Sequence, residues 1–195
     1  MKVIGLTGGI ASGKSTASAY LRELGAAIVD ADAISRASTR RGGAAFEAVC
    51  AAFGDILGAD GEIDRRKLGG IVFADEDARR KLNSIVHPAV MAESRAQIEN
   101  ARASGVKVCI LDVPLLFETG MEKLCDETWL IYVPREEQIR RMAERDGLDA
   151  VAAAARIDSQ MPLEEKLKRA DVAIDSSGTI EQTREKLHRL WEERT

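Results

Sequence analysis

Gly8-Gly9-Ile10-Ala11-Ser12-Gly13-Lys14-Ser15, with Thr16 behind it, carries the spacing G-x-x-x-x-G-K-[ST]. The apolar run Val3-Ile4-Gly5-Leu6 stands before it, and an amphipathic segment that stops at Gly25 follows. Strand, loop and helix in that order are what a phosphate-binding loop requires, whereas a chance glycine-rich turn would have the letters without the flanks. Glycines let backbone N–H groups converge on an anion without Cβ clashes, and the helix N-terminus adds partial positive charge. Residues Gly9, Ile10, Ala11, Ser12, Gly13, Lys14, Ser15 and Thr16 therefore form the expected cradle for a nucleoside triphosphate. Lys14 supplies a charge for the β and γ phosphates, and the Ser15 hydroxyl is placed to ligate an accompanying Mg²⁺.

The remaining composition bounds what such a chain does. A length of 195 residues fits one α/β domain with room for insertions. Apolar residues at 45% and charged residues at 31% describe a soluble globular protein with no membrane span. The N-terminus enters a strand directly, without a signal-like apolar region, so a cytoplasmic location is expected. A net charge of −4 gives nothing global to attract nucleic acid, and a monomer or weak homo-oligomer is expected. Cys50, Cys109 and Cys125 are odd in number and lack close pairing, which favours free thiols over disulfides or zinc.

From the loop onward, residues 15–24 read as a helix and residues 26–30 as a short buried strand. Asp30 and Asp32 stand at that strand's carboxyl end, where open α/β sheets place ligands. If the extended conformation continues, the two share a face, and a carboxylate there could accept the proton of an attacking hydroxyl. The other reading is that Asp32 caps a helix beginning near Ala33; spacing alone leaves both open. Between residues 33 and 104 no strand is convincing. Phe46, Val49, Cys50 and Phe53 mark one helical face, Asp64 precedes a short helical run to Leu68, a helix covers residues 75–86, and Pro88 starts another ending at Gly105. So much helix between two strands exceeds what a crossover needs and suggests a subdomain that builds the acceptor pocket. Arg36, Arg40, Arg41, Arg65, Arg66 and Lys67 in it could meet an anionic acceptor or form a solvated face. His87 fits a hinge or a substrate contact.

A third strand, residues 106–111, ends in Asp112, which suits a magnesium-holding aspartate beside the phosphate loop. The apolar wall Val113-Pro114-Leu115-Leu116-Phe117 closes on Glu118. A fourth strand covers residues 128–133, the fifth residues 172–175, and a final helix residues 180–193. After the fourth strand, Arg141 and Arg145 face one way on a helix, and Arg156 follows one helix later, a pattern that suits a lid over phosphates. The turn Ser176-Ser177-Gly178 lies at the carboxyl edge, where an adenine ring could rest.

An acid after the second strand, a helical insert and an arginine-bearing segment favour a small-molecule kinase. A switch GTPase would carry an Asn-Lys-x-Asp element, which is absent. A scaffold without turnover would leave Asp32 and the arginines without a chemical task. A P-loop kinase acting on another nucleotide or metabolite stays as the runner-up.

The stretches Gly5 to Thr16, Val29-Asp30-Ala31-Asp32, Ile85-Val86-His87-Pro88, Leu111-Asp112-Val113-Pro114-Leu115-Leu116-Phe117-Glu118 and Arg145-Asp146, in this order, resemble the dephospho-CoA kinases. The resemblance implies ATP-dependent phosphorylation of the ribose 3′-hydroxyl of dephospho-CoA, the last step of coenzyme A synthesis. It also implies an α/β, three-layer P-loop NTPase fold of the nucleoside-monophosphate-kinase kind, with a five-stranded parallel sheet. The core would be residues 1–32 and 105–195, with a helical acceptor-binding insert at about 33–104 and a lid at about 135–160. On this reading Lys14, Asp32, Arg141 and Arg145 are catalytic. Ser15 and Asp112 hold the metal, and Thr7, Asp32, His87, Leu115 and Glu118 meet the acceptor. Ala11 stands where the family usually has glycine, which is tolerable if the position needs no positive φ. Ser176-Ser177 replace an asparagine common in the family after the last strand.

Overall fold

The computed structural model describes all 195 residues. Five strands form one sheet in the order β2-β3-β1-β4-β5. They are β1 (Lys2–Gly8), β2 (Ala27–Asp30), β3 (Val108–Asp112), β4 (Glu127–Tyr132) and β5 (Val172–Asp175). β1 pairs in parallel with both β3 and β4, and β4 with β5. Parallel strands buried on two faces need apolar residues at every position. β1 and β3 meet that demand almost throughout.

The helices are α1 (Lys14–Glu23), α2 (Ala31–Ser38), α3 (Phe46–Phe53), α4 (Arg65–Ala74), α5 (Glu76–Ala103), α6 (Arg135–Asp146), α7 (Ala150–Asp158), α8 (Leu163–Arg169) and α9 (Ile180–Glu192). Two compact units result, residues 1–29 with 98–195, and residues 30–97. In the first, α1 and α9 cover one sheet face: Ala17, Leu21 and Leu187 pack on Ile4, Leu6, Ile110, Trp129 and Ile174. On the other face, Gly5 leaves room for Leu116 and Cys125, which a Cβ would meet at 2.9 and 2.7 Å. The second unit is helical, with Val49 and Ile56 fully buried and only an isolated bridge, Leu57 to Ile63, in extended conformation.

Two element boundaries differ from the pattern reading. Pro88 does not start a helix; it lies inside the unbroken α5. A mid-helix proline leaves the carbonyl four residues earlier without its partner. Here Ser84, His87 and Pro88 face solvent, so water can take the orphaned carbonyl, while Val86 and Val90 anchor the buried side. α4 likewise runs past Leu68 through Gly69 and Gly70 to Ala74. All three cysteines are free; burial pushes the Cys109 thiol up to about 11 and, with Asp126 and Glu122 adding to it, the Cys125 thiol to about 12. Neither is a nucleophile at neutral pH.

The chain's two ends are tied at Glu127, which opens β4. Its carboxylate accepts from Lys2 at 2.5 Å, from Arg194 at 2.7 Å and from the Trp129 indole at 3.0 Å. Burial opposes its ionisation, yet these bonds outweigh it and hold the pKa at about 2 against an ordinary 4.5. A depressed carboxyl pKa contributes stability above its unfolded value and loses it as pH falls toward the folded value. The shift is worth up to about 3 kcal/mol, and solvent around Lys2 trims that to about 2 kcal/mol. Thermal unfolding of Glu127→Gln should therefore lie below wild type by that amount at pH 7, with the gap more than halved at pH 3. A gap independent of pH would assign the loss to packing.

Candidate active site

All five parallel strands end at one edge of the sheet, and the chemistry-bearing residues of the first unit collect there. β1 ends at Gly8, the loop occupies residues 9–13, and α1 opens at Lys14. The loop is tight: Ser12 N donates to Gly9 O at 3.2 Å. A Cβ on Gly8 would lie 2.5 Å from Ser12 Oγ and 2.7 Å from the Ile131 carbonyl, so no other residue fits there. Gly13, the residue before α1, has φ 83°.

Ala11 also lies in the left-handed region, at φ 59°, the one non-glycine residue to do so. The condition under which alanine would be tolerable here, no positive φ, is thus not met. An L-residue pays roughly 1 kcal/mol or more in that conformation, and only surrounding contacts can hold it. Those contacts come from far along the chain. Gln138 Nε2 donates to Ile10 O at 2.8 Å, Arg141 Nη1 to Ala11 O at 3.4 Å and Ser176 Oγ to Ser12 O at 2.6 Å.

The register of β1 on β3 sets Asp112 opposite Leu6, two residues before the end of β1. Its carboxylate forms a hydrogen-bonded ion pair with Lys14, both side chains being mostly buried. Ser15 and Thr16, in the first turn of α1, are exposed. One hydroxyl and one carboxylate make a hard-oxygen donor set, and no cluster of three acidic, histidine or cysteine ligands exists. That suits Mg²⁺, which keeps water and phosphate oxygens rather than taking a full protein cage.

Beside the loop, Arg141 is braced three ways. Besides Ala11 it donates to Glu137 Oε1 at 2.7 Å and to Ser176 O at 2.8 Å. Arg145, one turn on, is 62% exposed and paired only with its neighbour Asp146, by two bonds of 2.8 Å. Arg135, at the start of α6, grips Asp158, at the end of α7, with bonds of 2.6 and 2.9 Å, closing the base of the helix pair.

Thr7 is fully buried and donates to Pro114 O at 3.0 Å. The same carbonyl receives Lys166 Nζ at 3.4 Å, and that ammonium lies 3.0 Å from Glu118 Oε1. Thr7 and Glu118 are therefore engaged in fixing the wall after Asp112, on which Leu115 stands 40% exposed.

Asp32 and His87 belong to the second unit. α2 starts at Ala31, so extended backbone does not continue to Asp32, and the cap is Asp30, whose carboxylate accepts from Ala33 N at 2.9 Å. Both earlier readings of this pair are thereby corrected: Asp32 is neither the cap nor a strand neighbour of Asp30, and it occupies the first helical turn. Ser35 and Thr39 follow at helical spacing on its side of α2. These two, with Arg40, Arg65, Phe73 and His87, line a cleft of about 720 Å³ within this unit. Desolvation at that wall lowers the His87 pKa from its ordinary value.

Sequence reasoning missed Gln138, Lys166 and the task of the Ser176 hydroxyl. One signal was available for Gln138: with Met142 it occupies the buried stripe of α6, where a polar side chain needs a reason. Lysine at position 166 gave none.

The dephospho-CoA kinase family model matches residues 2–182. The chain is 53% identical over 188 residues to the dephospho-CoA kinase of Carboxydothermus hydrogenoformans, covering 96% of this chain and 91% of that one. Among solved structures, one from Thermus thermophilus superposes with a TM-score of 0.84 at 35% identity, covering 100% and 98% of the two chains. A dephospho-CoA kinase from Campylobacter jejuni gives 0.76 at 31% identity, with 98% and 96% covered.

Proposed function

This chain belongs to the dephospho-CoA kinase family, and from that premise we propose how its residues divide the work of moving a phosphoryl group from ATP to the ribose 3′-hydroxyl of dephospho-CoA, the last step of coenzyme A synthesis. The observation that carries the assignment is the loop itself: three consecutive carbonyls, of Ile10, Ala11 and Ser12, are held by side chains from outside it, and Lys14 and Asp112 are paired beside it. On nucleotide binding Lys14 moves from Asp112 to the β and γ phosphates, which leaves the carboxylate and the Ser15 hydroxyl to a cation. Asp112 and Ser15 would hold a Mg²⁺ there, which would neutralise charge on the phosphates.

Asp32 orients or deprotonates the acceptor hydroxyl. It stands two residues beyond the end of β2, in the first turn of α2. The cleft along α2 receives the distal part of the acceptor. Arg40 and Arg65 on its wall are suited to its diphosphate, while Phe73 and His87 offer surface to its amide arm. Leu115 meets the acceptor from its own wall, and Thr7 and Glu118 act by holding that wall. α6 and α7 form the lid. Arg145 is its mobile charge, because an exposed pair with Asp146 is worth little and is readily exchanged for a phosphate. Arg141, being braced, contributes a fixed positive charge beside the loop. No helix is long and apolar enough to cross a membrane, in keeping with a cytoplasmic enzyme.

Magnesium titration of nucleotide binding tests the metal assignment. Ser15→Ala should raise the Mg²⁺ concentration for half-maximal ATP affinity about tenfold, the loss of about 1.4 kcal/mol that one direct oxygen ligand represents. An unchanged titration would remove Ser15 from the metal.

A further inference from the structure

Ile10, Ala11 and Ser12 are consecutive, and each has its carbonyl taken by a side chain from 128, 130 and 164 residues away. A peptide unit is rigid and planar, so a carbonyl drawn to one side turns the N–H of the next residue to the other. Three such bonds in a row turn the amides of Ala11, Ser12 and Gly13 away from those side chains: that of Ser12 closes the turn on Gly9 O at 3.2 Å, and those of Ala11 and Gly13 are left to a ligand. The strained residue lies between them: Ala11, at φ 59°, has the Ile10–Ala11 peptide on one side and the Ala11–Ser12 peptide on the other.

Of the three clasps, Gln138 is the one whose presence needs explaining. Its side chain is 4% exposed on the stripe of α6 that also buries Met142, and an apolar residue would fill that place without desolvating an amide. Its Nε2 stands so close to the loop that a Cβ on Gly9 would lie 2.4 Å away. The carboxamide is therefore seated against the two residues that precede Ala11, donating to the carbonyl of one and filling the space left by the other.

We propose that Gln138 is a positioning residue for phosphoryl transfer: its carboxamide locks the Ile10–Ala11 peptide so that Ala11 stays left-handed and the loop amides face the phosphates before the nucleotide arrives. The proposal rests on the reading of this loop as the nucleotide cradle. It also accounts for how the chain tolerates alanine there, since the strain is opposed by bonds from α6 and from the turn after β5.

A double-mutant cycle between Gln138 and Ala11 tests it, read by calorimetric ADP affinity and by KM for each substrate in the full-length enzyme. Gln138→Met keeps the length and apolar stem while removing the donor. It should weaken ADP binding and raise KM for ATP about tenfold, leaving KM for dephospho-CoA within about twofold. Glycine adopts the left-handed conformation unaided. In an Ala11→Gly background the same change should therefore cost about threefold or less, a coupling that loss of general packing would not produce. Should Gln138→Met fail to fold, Gln138→Glu replaces it: nearly the same shape, with a carboxylate against the Ile10 carbonyl, and an expected loss larger than tenfold. Equal losses in both backgrounds, equal effects on both substrates, or unchanged ADP affinity would overturn the proposal. Wild-type protein that binds no ADP would instead overturn the cradle itself.

Discussion

Asp32→Asn should lower kcat by about two to four orders of magnitude, the usual worth of a positioned general base, while KM for ATP stays within a few-fold. The substitution keeps the shape of the side chain and removes only its charge and its capacity to take a proton. The helix-starting bond is kept, because it is made by Asp30, whose carboxylate accepts from Ala33 N. The loss of one negative charge in the first turn of α2 by itself is worth about 0.3–1 kcal/mol. Asp30→Asn is the matched control. Asparagine caps a helix about as well as aspartate, so that variant should keep near-native turnover. Two neighbouring carboxylates, one removed at little cost and the other at great cost, would separate chemistry from architecture. Turnover of Asp32→Asn within threefold of wild type would take Asp32 out of the mechanism.

What could be read from the chain alone follows how locally each feature is determined. The strand, loop and helix from Lys2 to Glu23 were legible because glycine spacing and apolar periodicity act over a few residues. The five strands were legible because buried parallel strands are continuous apolar runs, stopped here by Asp30, Asp112 and Asp175. Pro88 misled because its tolerance depends on which face of α5 meets solvent, a tertiary fact invisible in a window of sequence. The Asp30–Asp32 pair was ambiguous because one residue's difference in where a helix begins exchanges capping and first-turn roles. The conformation of Ala11 stayed open for a deeper reason. Its conformation is imposed by Gln138, Arg141 and Ser176, and propensity alone argues against it. Lys166 carried no signal at all, since nearly every lysine is exposed and only the folded chain reveals one that is 1% exposed.

That lysine gives the second large effect. Lys166→Ala should destabilise the protein by about 3–5 kcal/mol, the cost of removing one member of a buried pair, and lower Tm by roughly 10 °C or more. Its ammonium joins Glu118 Oε1 at 3.0 Å to Pro114 O at 3.4 Å. Pro114 O also holds the Thr7 hydroxyl, and Glu118 Oε1 also accepts from Met161 N at 3.1 Å. One buried cation thus fastens α8, and through Glu118 the turn at Met161, to the segment that follows Asp112. Removing it leaves a cavity, and leaves Glu118 with its charge in a mostly buried site. If electrostatic mismatch is the main cost, taking away both charges should repair most of it: Lys166→Met combined with Glu118→Leu should recover the larger part of the lost Tm, as replacement of buried pairs by apolar groups of like volume often does. The double variant also separates two roles for Glu118. A carboxylate that only holds the wall can be dispensed with once the wall is apolar, and KM for dephospho-CoA should stay within about threefold of wild type. A rise of tenfold or more in that constant alone would mean that Glu118 touches the acceptor, and a double variant no more stable than Lys166→Ala would mean that the pair is not what holds α8 in place.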